Sequence, residues 1–493
     1  MFFYVMVICG LLTTNLFAET YFVKADGNDQ LDGKSDATAW GTIGKVNSYK
    51  FDPGDDVYFK CGGTYRATRL SVRWSGTEEN PTIIGAYYGD EIIGVQGDKP
   101  IFDGENKAPT YFSNGLINVA AKSYVTITNV KIYNSAGHGL RFSDGSHYGF
   151  AINVETVNSD NAGIQWWQSE FGKAINCEVS FAAMKYYRGE IGDWPGCLSA
   201  NFSPNFQAKG CKVFNVHGEG IGIYKHSHNS IVENCLVYNA KKVGIYVSAS
   251  HDNIVRFNMI YGTTDTTYHR YGNPPQVGPA MKQGDEGWVD YAAYNNKFYG
   301  NWVANCSCGF GGGSPTYGLT NVEIYNNTFI NCDATFWLEN VSIYSNSAIR
   351  NNISWPRAGA TYGHIRGDAN NPGLVWSNNN WSSTVDGDRA GVGDVIGLPD
   401  LYKSSGWDTI KEGELKLSAF SLNSNSSLKN AGAALPEQYD SFPDINKNSD
   451  YPFSLKMYKQ SNYGEGWEIG ADIDTDDVYQ SPPAPPANLK LDQ

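Results

Sequence analysis

The sequence predicts an all-β solenoid of stacked coils about 24 residues long, on three observations. First, glycine followed by an apolar residue recurs at Gly115 (GLINV), Gly139 (GLRFS), Gly163 (GIQWW), Gly196 (GCLSA), Gly220 (GIGIY) and Gly244 (GIYVS), at intervals of 24, 24, 33, 24 and 24. Second, a turn column at Asn129, Asn153, Asn176, Gly210, Asn234 and Asn258 keeps that period and continues at Asn296, Asn327 and Asn352. Third, each unit holds short alternating runs of Val, Ile, Tyr and Phe between Asn, Gly, Ser and Asp, which is strand and turn chemistry. Neither a 3.6-residue period nor the L-x-x-L-x-L-x-x-N pattern of leucine-rich repeats is present.

A coil of that length accommodates three short strands and three turns, with strands pairing coil on coil at about 4.8 Å. The asparagines then fall at equivalent turns, where their amides bond up and down the stack. Strand side chains alternate faces. Aligned on the glycines, Leu140 and Phe142, Ile164 and Trp166, Ile221 and Ile223, and Ile245 and Val247 point inward. Arg141, Ser143, Gln165, Trp167, Tyr224, Tyr246 and Ser248 form the outward ladder. Cys177, Cys211 and Cys235 each stand two residues before a valine and share its inward face as small hydrophobes. Disulfides, if formed, fall to Cys306, Cys308 and Cys332; zinc is disfavoured because Cys306-Ser-Cys308 lacks the usual spacing and no second pair completes it.

Two insertions break the period. One carries MKYYRGEIGDWPG (184–196); the other runs from Thr263 to Tyr291. Insertions in a repeat collect on the binding face. Residues 380–465 lose periodicity and are expected to pack on the last coils. Residues 476–493, containing SPPAPPANLKLDQ, read as a flexible Pro-rich tail.

Residues 1–18 read as a signal peptide, an apolar run ending at Ala18 without a basic start. Export to the periplasm, cell surface or medium is the expectation, with residues 19–475 as the solenoid and a monomer as the expected state. No later apolar run is long enough to span a bilayer. The net charge of −14 disfavours nucleic acid and anionic membranes. It would also repel an acidic glycan unless a cation or a local basic patch intervened.

These repeats resemble the secreted bacterial right-handed parallel β-helix proteins of the pectate-lyase-like superfold. The likeness includes YFVKADGNDQLDGKSDATAWGTIGKVN (21–47), FDPGDDVYFKCGGTY (51–65), SGTEENPTIIGAY (75–87) and GWEIGAD (466–472). The resemblance implies a polysaccharide substrate held on the outward ladder, and the superfold hosts lyases, hydrolases, epimerases and noncatalytic proteins. Trp167, Tyr224 and Tyr246 would offer flat faces to sugar rings, beside Arg141 and Gln165.

The stretch HGEGIGIYKHSHNS concentrates His217, Glu219, Lys225, His226 and His228 on one coil. Arg188, Glu190 and Asp193 rise one coil before it; His269, Arg270, Lys282, Asp285 and Glu286 rise one coil after. GEGIGIYKHSHN is similar to the Glu…Lys-Ser-x-x-Asn strand of alginate-lyase-like and chondroitinase-like enzymes. That likeness implies Lys225 as base and Glu219 as calcium ligand; the Arg of the next coil in that pattern has no counterpart in GIYVSAS. A lyase needs a base of lowered pKa and a cation to neutralise the uronate carboxylate. Ca²⁺ held by Glu219, Asp285 and Glu286 would supply the cation. A hydrolase or epimerase would instead pair carboxylates, Glu219 with Asp285 or Glu286. A noncatalytic glycan-binding solenoid is the third reading.

Overall fold

Alternating apolar residues give each coil three short strands, and strands of successive coils pair in parallel. The computed structural model describes residues 18–270, 276–284, 292–313, 318–339, 344–367, 372–385, 391–444, 455–463 and 466–473. Among these residues the pairings build three long sheets of 11, 14 and 13 strands. One coil shows the path: Glu219–Tyr224 in the first sheet, Ile231–Glu233 in the second, Leu236–Ala240 in the third. A corner at Lys241–Gly244 then returns the chain to the first-sheet strand Ile245–Ser248.

The register follows the glycine alignment. Ile221 pairs with Ile245 and Ile223 with Val247; Leu140 pairs with Ile164 and Phe142 with Trp166. All eight side chains are fully buried, each contributing about 1.5–3 kcal/mol of hydrophobic stabilisation. Between these inward rows, two outward rows cross the first sheet. Arg141, Gln165, Ser199, Gly222, Tyr246 and Lys282 form one; Ser143, Trp167, Asn201, Tyr224 and Ser248 form the other.

The asparagine column divides in two at the corner between the second and third sheets. Asn129, Asn153, Asn176, Gly210 and Asn234 sit there with φ of 52–64°, the left-handed region that Asn and Gly tolerate best. Asn153 donates to Asn129 at 2.6 Å. Asn258 departs from the expectation: Phe257 takes the corner with φ 56° and Asn258 points inward. It continues the interior row of Cys177, Cys211 and Cys235. Asn301, Asn327, Asn352 and Asn379 follow, each side-chain oxygen accepting the backbone N–H of the preceding member at 2.9–3.0 Å. Asn296 belongs to another corner, bonded to Asn253.

Among the described residues the thiols are free. Cys177, Cys211 and Cys235 are buried as expected, but Cys306, Cys308 and Cys332 are also separate buried thiols and not disulfide partners. Beyond the coils, Trp407, Phe420, Tyr439 and Phe442 cluster with Tyr238, Tyr261 and Trp302 of the third sheet and Tyr299 of the second. The C-terminal segment therefore reaches mid-solenoid coils as well as the last ones, and the first sheet keeps its outer face for the insertions.

Candidate functional site

Glu219 opens its strand directly under the first insertion, its N–H donating to the Pro195 carbonyl at 3.1 Å. Glu219 is buried, 6% exposed. One carboxylate oxygen accepts from the Trp194 indole N–H at 3.1 Å, and the other accepts from the Tyr224 hydroxyl. Tyr224 can fold back along its own strand because position 222 is glycine. A Cβ there would lie 2.0 Å from the Tyr224 ring. The Gly-Ile-Gly-Ile-Tyr pattern is thus both a coil marker and the space in which Tyr224 reaches Glu219. Burial, then the neighbouring Glu219 charge, push the Tyr224 phenol well up and keep it a donor.

Lys242 occupies the next corner, its N–H donating to Gly218 at 3.1 Å. The second insertion crosses over it at Gly278, where a Cβ would stand 1.4 Å from the Lys242 carbonyl oxygen. The Lys242 ammonium lies 3.8 Å above the Trp194 ring and 4.7 Å above Tyr186. Those rings favour the charged form. Burial, followed by the charges of Arg270 and Lys241, acts more strongly the other way and brings its pKa down to about 8, with Glu219 opposing.

Two cavities meet at Trp194 and Glu219. One, of 230 Å³, is lined also by Lys242, Arg270, Lys282, Trp337 and Glu339. The other, of 380 Å³, is lined by Gln165, Asp193, Asn201, Tyr224, Lys225 and Tyr246. Arg270 stands 5.0 Å from the Trp194 ring centre and Lys282 5.3 Å from that of Tyr246. A chain of net charge −14 thus places three cations in one small cavity.

The residues expected from sequence divide as follows. Glu219, Tyr224, Lys225, Gln165 and Tyr246 come together around the larger cavity, and Arg270 joins Glu219 in the smaller. Lys225 lies in the left-handed turn after its strand, 5.9 Å from the Trp167 ring, with its pKa lowered by burial. Tyr246 is 1% exposed, so it cannot offer the open stacking face expected of it; Lys282 and the neighbouring coils cover it. Trp167 remains half-exposed beside Arg141. Arg141 donates to Gln165 at 3.2 Å.

His217 borders neither cavity. It is buried, stacked 3.8 Å from Tyr187 with the tilted Tyr268 ring 5.0 Å away, and burial lowers its pKa to about 4. Arg188 is exposed on the first insertion, paired with Asp160 at 2.8 Å and with Glu190. His269 faces a different cavity altogether. Asp285 and Glu286 lie outside the described residues.

Around Glu219 the described donor set does not suit calcium, which takes six to eight oxygens. Both carboxylate oxygens already accept hydrogen bonds, and cations surround them. Among the described residues no three His, Cys, Asp or Glu side chains can hold a metal ion. No helix among them is long and apolar enough to cross a membrane.

Sequence reasoning missed Lys242, Trp194, Trp337 and Glu339. A signal existed for Lys242: aligning Gly220 with Gly244 sets Lys242 over Gly218, one position from Glu219 on the next coil.

A family model described as a right handed beta helix region matches residues 115–276. The solenoid is a right-handed parallel β-helix. Its sequence is 28% identical over 137 residues to a lacto-N-biosidase of Bifidobacterium longum subsp. longum, a match spanning 25% of this chain but only 9% of that protein. Solved structures similar to it include pectate lyase Pel9A (TM-score 0.48, 15% identity, 92% of this chain and 96% of that one). Another is the GH136 lacto-N-biosidase of Eubacterium ramulus (TM-score 0.46, 14% identity, 77% and 68%). A third is a rhamnogalacturonan lyase (TM-score 0.46, 14% identity, 73% and 87%).

Proposed function

We propose that this β-helix is an exported enzyme that cleaves a uronate-containing polysaccharide by β-elimination on its first sheet, between the two insertions. The observation that carries this reading is the group of Lys242, Arg270 and Lys282 beside Glu219 in one cavity of an otherwise acidic protein. A uronate carboxylate placed there meets the fixed positive charge of Arg270 and Lys282, which stabilises the carbanion-like charge that develops when the proton α to it is removed. Lys242, brought to about 8, is a base near neutral pH. The step breaks the C5–H and C4–O bonds and forms the C4–C5 double bond. Lys242 takes the C5 proton, and the departing oxygen takes one from water. Glu219 holds Tyr224 and Trp194 in place, and Lys225 with Trp167 extends the binding track.

This assignment moves the base from Lys225 to Lys242 and gives the carboxylate-neutralising role to Arg270 and Lys282 in place of calcium. A glycoside hydrolase is a second reading, favoured by Glu219 and Glu339 lining the same cavity. A screen of soluble acidic and neutral glycans, read for both new reducing ends and unsaturated-uronate absorbance, separates the two. Both signals on acidic glycans support elimination. Reducing ends alone support hydrolysis, and neither signal on any glycan supports a noncatalytic solenoid.

A further inference from the structure

The second insertion has another side. His269, adjacent in the chain to Arg270, lines a 520 Å³ cavity that shares no residue with the two around Glu219. That volume lies within the roughly 300–1,000 Å³ of small-ligand sites. The cavity sits at the corner between the third and first sheets. The insertion closes it through Thr264, Thr266 and Gln276, the coils through Arg357, and the C-terminal segment through Asp408.

Its chemistry is opposite to that of the cation-lined cavity. Gln276 is 7% exposed. Its amide N–H donates to the Asn331 carbonyl at 3.2 Å, while its amide oxygen has no hydrogen-bond partner among the described residues. Asp408 accepts from Asn331 at 2.6 Å through one oxygen, leaving the other for a ligand. His269 sits with Nε2 2.8 Å from the Thr263 carbonyl. It therefore donates through Nε2 and, when neutral, presents Nδ1 as an acceptor. The Arg357 charge is matched by buried Asp333 at 2.7 Å. The lining thus offers acceptors and hydroxyls around an unsatisfied buried oxygen, which asks for ligand donors and disfavours an anion.

We propose that this corner cavity is a second carbohydrate site, which takes a neutral, hydroxyl-rich sugar unit by donation to Gln276 and Asp408. The site stands apart from the proposed elimination and survives its failure.

The test is calorimetric titration of the full-length protein with D-glucose, D-galactose, D-xylose, N-acetylglucosamine and D-glucuronate in the millimolar range. Saturable binding of at least one neutral sugar is expected, weakened at least tenfold by Gln276→Leu and by Asp408→Ala, and unchanged by Lys242→Met. Asp408 is exposed, so its variant tests the site even if Gln276→Leu fails to fold. Three results would overturn the proposal: no saturable binding of any neutral sugar, glucuronate preferred with the same sensitivity to Asp408→Ala, or binding abolished by Lys242→Met but not by Asp408→Ala.

Discussion

Arg270 and His269 are neighbours in the chain, yet they face cavities of opposite character. The cavity on the first sheet gathers Lys242, Arg270 and Lys282 around Glu219 and two tryptophans. The corner cavity gathers threonine hydroxyls, amides and a carboxylate, with its arginine already paired. One insertion separates them, held against the coils where Gly278 meets the Lys242 backbone. The lesson is that the coils supply a rigid corner and the insertion sorts the chemistry to either side. Charge in one cavity and neutral hydrogen bonding in the other should therefore respond to different mutations.

The largest expected effect is on the cation side. Lys242→Met should lower the rate of glycan cleavage about 100- to 10,000-fold, the range for losing a general base, while Lys225→Met changes it far less. Comparable losses in both variants would merge the two first-sheet cavities into one catalytic unit. The same assignment fixes the pH profile. Lys242 acts as a neutral amine, so kcat should rise with pH and level off above about 8. A profile falling through that range would remove it as the base.

Next in size, Arg270→Ala and Lys282→Ala should each lower kcat/KM for an acidic glycan roughly tenfold or more, from about 1.5–3 kcal/mol per lost charge-assisted hydrogen bond. Neither should alter neutral-sugar binding at the corner. Chelation should leave the rate unchanged, since the cations that meet the carboxylate are side chains; loss of activity with EDTA would bring Asp285 and Glu286 back as calcium ligands.

The smallest effect concerns stability and lies outside both cavities. His217 and His364 are held neutral by burial, with pKa brought down to about 4 from an unfolded value near 6.5. Lowered folded values favour the folded state fully above about pH 6.5, and that contribution is lost as pH falls toward 4. The melting temperature should decline across that window, and less so in His217→Gln.

Much of the fold was legible because it is periodic. One glycine column set the register of Ile221 on Ile245 and Leu140 on Ile164, and both held. The site was legible only where it lies on that period. Glu219, Tyr224 and Lys225 were found on one coil, whereas Trp194 and Arg270 reach the site from insertions, which carry no repeat to align. Trp337 and Glu339 come from a coil four strands farther along the first sheet than Glu219, beyond the part where the glycine column is regular. Tyr246 was misjudged as open because strand alternation gives a side chain's face but not what its neighbours on adjacent coils cover. Asn258 was misplaced by one residue for a related reason: corner and interior asparagines sit side by side, and only φ separates them.

The most direct measurement follows ultraviolet absorbance of unsaturated uronate as the protein acts on an acidic polysaccharide, with wild type and Lys242→Met compared at pH 8. The account predicts rising absorbance with wild type and almost none with the variant. Cleavage without that absorbance, or equal absorbance from both proteins, would contradict it.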